Sequence, residues 1–210
     1  MGARNTSRMI KVLFVIISLF VVGNAYPWCM TTLTGGNAAG EAPADACDTQ
    51  TTPNDMETYA TDSQNVCEAS GNKFVSSAFI AGESVDICQI CVYLKSSSGN
   101  SPTYTMTAYL YDDDEGVPGS LVADGTFTGR NMTDMLTGSF QWICFSGASP
   151  AVTATNTYHI VLGCNAVDGT NIAYWGADAT CATSQWYRGA TAPPTTSYET
   201  ETCGMAKLYK

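Results

Sequence analysis

The sequence predicts an all-β fold, an antiparallel β-sandwich of the jelly-roll type. Two observations lead to this prediction. Short runs with alternating apolar and polar residues follow one another along the chain, and no stretch of helical periodicity separates them. Such a density of short strands is typical of sandwiches. A chain of 210 residues can bury a sizeable core, so its nine cysteines would reinforce the fold and need not create it.

The N-terminus has the layout of a secretory signal peptide over residues 1–25. Arg4, Arg8 and Lys11 form a positive region, Val12–Val22 is an uninterrupted apolar run, and small residues lead to a cleavage site after Ala25. The run is shorter than the roughly 20 residues that span a bilayer, and a signal anchor is the alternative. We expect a secreted, extracellular protein without a membrane span after cleavage.

The charge balance excludes several functions. The chain has 9 basic and 19 acidic residues, a formal charge of −10. Loss of the predicted signal removes three basic residues and leaves −13. Nucleic acid is not an expected partner, since its binding needs a basic surface. A single histidine leaves little room for a catalytic triad, so we expect a non-catalytic protein. The enzymatic alternative is a glycoside-active protein that uses a carboxylate pair.

Residues 26–71 differ from the rest of the chain. They are rich in Thr, Ala, Gly, Asp and Asn, and they lack sustained apolar periodicity. They are predicted to form an extended or loop-rich arm that is stapled by disulfides through its three cysteines. Residues 72–210 are predicted to form the β-sandwich domain.

The β-domain contains nine candidate strands. Within 86–95, Ile90, Val92 and Leu94 share one face, while Tyr93 and Lys95 lie on the other. Within 139–146, Phe140, Trp142 and Cys144 share one face, which is interpreted as facing the core. The predicted strands cover 74–80, 86–95, 103–111, 121–128, 139–146, 157–164, 171–175, 185–188 and 205–209.

The cysteines indicate a disulfide framework, and their odd number leaves at least one unpaired or bound to another molecule. Cys88 and Cys91 should not pair with each other, because strand residues three apart face opposite sides. Cys144 and Cys164 are a candidate pair on consecutive predicted strands, and Cys181 could pair with Cys203. The remaining connectivity stays open. The full set is Cys29, Cys47, Cys67, Cys88, Cys91, Cys144, Cys164, Cys181 and Cys203.

The order of strands and turns resembles a known group of domains. The acidic turn 112–116 follows the strand ending at Tyr111, and the aromatic strand 140–145 and the motif 174–176 (Tyr-Trp-Gly) come later. From Phe74 to Arg188 this pattern resembles the β-sandwich domains of secreted bacterial surface proteins of the "choice-of-anchor" type, which are similar to carbohydrate-binding modules. The resemblance implies a jelly roll and a secreted location. It fixes no ligand.

Four consecutive acids are the candidate metal site, with calcium as the expected cofactor. Calcium prefers clustered carboxylate oxygens on a loop. Asp168 and Asn171 could contribute if their loop lies nearby. The alternative is a solvated hairpin turn. The four residues are Asp112, Asp113, Asp114 and Glu115.

Two aromatic pairs are the candidate ligand site. Neighbouring strand residues face opposite sides, so one member of each pair would lie in the core and the other could stack on a sugar. Arg188 and Gln185 could add hydrogen bonds. The alternative is that all four rings are buried. The pairs are Tyr174 with Trp175, and Trp186 with Tyr187. His159, the lone histidine, is interpreted as structural.

Two functions fit these features. The first is extracellular recognition or adhesion, with glycans as a candidate partner. The second is a structural subunit of an extracellular filament or coat, in which copies of the chain assemble by strand addition of the arm and by disulfides.

Overall fold

The computed structural model describes residues 47, 49–51, 59–68, 71–97, 103–134, 138–147, 149–167, 172–178, 186–199 and 202–210. All of them belong to one compact unit, residues 41–210. This part of the chain forms fifteen strands and the short 3-10 helix Met132–Asp134. Among the described residues, no helix has both the length and the apolar character needed to cross a membrane.

One sheet has six strands: β1 (Tyr59–Val66), β4 (Gln89–Ser96), β8 (Gln141–Ser146), β11 (Ala173–Asp178), β14 (Cys203–Gly204) and β15 (Ala206–Tyr209). β4 pairs with β8 and also with both β11 and β15, and all pairings are antiparallel. The C-terminal segment therefore fills a fork between β4 and β11. At the fork, Met205 accepts from the Tyr93 amide (3.2 Å) and donates to the Gly176 carbonyl (2.8 Å).

The second sheet has seven strands: β2 (Phe74–Ile80), β5 (Thr105–Asp114), β6 (Val117–Thr126), β7 (Arg130–Asn131), β10 (Thr157–Cys164), β12 (Trp186–Gly189) and β13 (Thr196–Glu199). Its main order is β13-β12-β2-β10-β5-β6, with β7 beside β5. β3 (Val85–Asp86) and β9 (Ala151–Val152) form a separate antiparallel pair.

The core lies between the two sheets. Alternate residues of β4 and β10, such as Leu94 and Ile160, are fully buried in one hydrophobic cluster. Two tryptophans join the sheets: the rings of Trp175 and Trp186 meet edge to face at 5.1 Å. The Gly204 amide also donates to Ser77 Oγ across the core (2.7 Å). The predicted all-β, sandwich-like fold is confirmed at this level.

Part of the predicted arm belongs to the six-stranded sheet. Residues 59–66 form β1, which pairs with β11, and Gln50 makes a bridge to Tyr209. These two segments of the predicted arm are therefore paired with β-strands of the sheet. β1 escaped prediction because residues 61–65 (Thr-Asp-Ser-Gln-Asn) are all polar and show no apolar alternation. The predicted signal peptide and the arm residues 26–46, with Cys29, lie outside the described residues.

Three disulfides join cysteines among the described residues: Cys47–Cys88, Cys67–Cys164 and Cys91–Cys144. The prediction that Cys88 and Cys91 pair separately is confirmed. The candidate pair Cys144–Cys164 is wrong, because Cys144 is bonded to Cys91 and Cys164 to Cys67. Cys203 is also disulfide-bonded, and Cys181 lies outside the described residues. Several disulfides indicate an oxidising environment.

Candidate ligand-binding site

Four aromatic side chains form a half-buried cluster on the outer face of the six-stranded sheet. Tyr93 lies at its centre: its ring stacks on Phe140 (centroids 5.0 Å apart, planes 16° apart) and contacts Trp142 (5.1 Å, 41°). Tyr174 lies beside them on β11 and shares a lysine with Phe140. We call these four residues the aromatic cluster.

The strand register assembles the cluster. Tyr93 on β4 is directly opposite Trp142 on β8, and Lys95 is opposite Tyr174 on β11. Tyr93 and Lys95 alternate with the buried Val92 and Leu94, so they face away from the core. Their directly opposed partners lie on the same outer face. Directly opposed aromatic pairs are a favourable way to cover a sheet face.

Gly176 makes room for the rings. A Cβ atom at this position would lie 3.0 Å from Tyr93 Cδ1 and 3.3 Å from Phe140 Cε1. Both separations are tighter than ordinary van der Waals contact. A side chain here would therefore lift the two stacked rings away from the strand, and the absence of one lets them lie close to the backbone.

Two lysines border the cluster. Lys95 Nζ is 4.6 Å from the Phe140 centroid and 5.5 Å from that of Tyr174. Lys207 Nζ, from β15, is 4.7 Å from the centroid of Trp142. These are cation–π distances. The row Phe140–Tyr93–Trp142 thus has one ammonium group at each end.

A disulfide fixes the strand that carries Trp142. Cys91 and Cys144 are directly opposed on β4 and β8, two residues from the Tyr93–Trp142 pair on the same face. The covalent link therefore lies immediately beside the aromatic cluster and holds β8 in register with β4.

The structure brings only Tyr174 of the predicted aromatic residues into this cluster. Trp175 lies in the core as expected for one member of its pair. Trp186 and Tyr187 are both buried (1% and 3% exposed), so the expectation of an exposed ring in that pair is wrong. The Tyr187 ring is covered because it crosses the outer face of its sheet, where its hydroxyl donates to the Gly116 carbonyl.

Arg188 is separate from the aromatic cluster. It belongs to the seven-stranded sheet and lines an open cleft of about 460 Å³ together with Gly71, Asn72 and Thr196. Gln185 lies outside the described residues.

Sequence reasoning missed Tyr93, Phe140, Trp142 and the two lysines as site residues. A signal existed for Tyr93 and Lys95, which alternate with the core residues of β4. No such signal existed for Trp142. Both faces of β8 carry apolar residues. The face with Trp142 and Cys144 was interpreted as the core face, but Phe145, on the opposite face, is the fully buried residue, so Trp142 faces outward. Only the register with β4 distinguishes the two faces.

Two of the predicted calcium ligands, Asp112 and Asp113, accept hydrogen bonds from the backbone of their own hairpin. Asp112 accepts from the Ser120 amide, while Asp113 accepts from the Gly116 amide (3.0 Å) and contacts His159. Glu115 (φ 55°) and Gly116 (φ 91°) form a tight two-residue hairpin turn. Within the described parts of the chain, no three His, Cys, Asp or Glu side chains form a group that could hold a metal. Asp168 and Asn171 lie outside the described residues, and calcium binding stays a prediction.

His159 forms a buried hydrogen-bond chain. Its Nε2 is 2.7 Å from Asp113 Oδ1, and its Nδ1 is 3.4 Å from Ser76 Oγ. Burial lowers the imidazole pKa, and the hydrogen bond to Asp113 opposes this effect. A neutral ring that donates from Nε2 and accepts at Nδ1 satisfies both partners. Ser76 and His159 are fully buried, so the serine hydroxyl is not placed to attack a substrate.

Comparisons with protein-family models and with curated proteins found no match to this chain. The resemblance to secreted surface domains therefore stays a prediction.

Proposed function

We propose that the protein is a non-catalytic extracellular recognition or adhesion protein that binds glycans at the aromatic cluster. The observation that carries the proposal is the half-buried row Phe140–Tyr93–Trp142 on an outer sheet face, bordered by Lys95 and Lys207. A sugar ring has an apolar face and a hydroxyl rim. Aromatic side chains with one accessible side offer matching apolar area, and tyrosine and lysine supply hydrogen bonds.

The scaffold supports this proposal. The rings stand on neighbouring strands of a sheet that a disulfide and a packed core hold in place, so little side-chain order has to be gained on binding. The disulfides fit a secreted protein, and the two antiparallel sheets, with chain connections that pass from one to the other, fit the jelly roll expected from the sequence.

Glycan binding is testable with the purified full-length chain on a glycan array, followed by calorimetry. We expect Trp142→Ala and Tyr93→Ala each to weaken the best ligand by about tenfold or more, since an aromatic contact contributes about 1–3 kcal/mol. Tyr109→Ala is the matched control, because this half-buried tyrosine lies on the other sheet.

Two outcomes would contradict the proposal. One is an array without any bound glycan. The other is a bound glycan whose affinity neither cluster variant changes. Disulfide-linked polymers on non-reducing gels, together with an empty array, would favour the filament subunit.

A further inference from the structure

We propose that the glycan is a polyanion, with carboxylate or sulfate groups on successive sugars that Lys95 and Lys207 receive. The inference rests on the proposed function and adds the class of ligand. Its basis is the position of the two ammonium groups at opposite ends of the three-ring row. A chain lying along this row would present one acidic group to each lysine.

The described strands that carry the two lysines show little negative charge on the same face. The outward positions of β4, β8 and β15 contain two lysines and no carboxylate. On β11, Asp178 is on the same face as Tyr174 by strand alternation, but it is fully buried. Lys95 makes no ion pair with any described residue. The outward positions are Gln89, Cys91, Tyr93, Lys95, Trp142, Cys144, Ser146, Lys207 and Tyr209.

The chain as a whole is acidic, so the two lysines beside the aromatic cluster contrast with its net charge. The whole chain has a formal charge of −10, and the consecutive acids 112–115 lie on the other sheet. An acidic protein repels polyanions at long range. Binding of a polyanion would therefore need a local cationic site. Each lysine already lies against an aromatic ring, so its stem and charge are held close to the surface that the sugars would cover.

Hydrogen bonds between ammonium and acidic groups are about twice as strong as neutral ones. They also weaken with salt, because the screening length falls from about 10 Å at 0.1 M to about 3 Å at 1 M. A polyanionic ligand should thus bind in a salt-dependent way, whereas a neutral glycan that only stacks on the rings should not.

The test compares three ligand sets at fixed chain length: oligogalacturonates, sulfated galactans and neutral galactans. Calorimetry at 0.05 M and 0.5 M NaCl gives affinities for the wild type, Lys95→Gln, Lys207→Gln and Lys73→Gln. Lys73 is the matched control, since its Nζ lies 5.7 Å from the Phe74 centroid on the other sheet. Thermal melts show whether each variant keeps the fold.

We expect one or both acidic sets to bind, with a preference that tells carboxylate from sulfate. Each cluster lysine variant should lose about tenfold in affinity at low salt, and Lys73→Gln should lose none. Equal binding of neutral galactan, or lysine variants with unchanged affinity, would overturn this inference and leave the proposed function standing. Absence of binding to all three sets and to a full glycan array would overturn both.

Discussion

At the scale of single residues, His159 is held by contacts with three side chains. Its two ring nitrogens hydrogen-bond Asp113 and Ser76, and the Tyr187 ring lies edge-on to it at 5.8 Å. Burial also raises the pKa of the Tyr187 phenol, which keeps the hydroxyl protonated as a donor to Gly116. The hairpin between β5 and β6 is thereby attached to β10 and β12 through two side chains.

The lowered pKa of His159 predicts a loss of stability on mild acidification. Above pH 6.5 the imidazole is neutral in both states. Below pH 6.5, the unfolded chain takes up a proton that the native histidine resists. The free energy of unfolding therefore decreases as the pH is lowered, by at most about 1.4 kcal/mol per pH unit. Urea unfolding between pH 7.5 and pH 5 measures this slope. We expect His159→Gln to flatten it, and an unchanged slope would show that other groups cause it.

At the scale of elements, strand β8 shows what alternation can and cannot predict. The bounds of β2 and β10 agree with the predicted runs 74–80 and 157–164, and in β10 the large residues Tyr158, Ile160 and Leu162 stand at alternate positions. β8 was also predicted, but its core face was assigned wrongly. Since Trp142 and Cys144 are as apolar as Ile143 and Phe145, the outward face is decided by pairing with β4, which is a non-local property.

Loss of the Cys91–Cys144 disulfide should loosen strand β8 locally. In the chain-entropy description, a link across 53 residues contributes about 4 kcal/mol. We expect Cys91→Ser/Cys144→Ser to speed hydrogen exchange mainly at the amides of residues 141–146. Cys47→Ser/Cys88→Ser serves as the matched pair, because its sequence separation of 41 is similar. An increase spread evenly over both sheets would contradict a local role.

At the scale of the whole molecule, the two sheets are joined by their packed side chains and by Cys67–Cys164. The latter connects the end of β1 in one sheet to the end of β10 in the other. The all-β class follows from local patterns. The assignment of strands to sheets, the strand β1 and the aromatic cluster do not, because each depends on contacts between residues far apart in the chain.

The disulfide between the sheets should be the most stabilising of the three whose cysteines are both described. It has the largest sequence separation of these three, 97, for which the chain-entropy description gives about 4.7 kcal/mol. We expect Cys67→Ser/Cys164→Ser to lose more stability in denaturant titrations than the pair that removes Cys47–Cys88. The reverse order would indicate that structure remaining in the unfolded chain, and not loop length, sets these contributions.

The position of segment 203–210 also bears on how the chain matures. This segment fills the fork between β4 and β11, strands that are synthesised well before it. Since a nascent chain emerges from its N-terminal side, β4 and β11 must wait with part of their edges unsatisfied until the segment arrives. The six-stranded sheet can therefore close only after residues 203–210 have been synthesised, so β4 and β11 complete their pairing later than they are made.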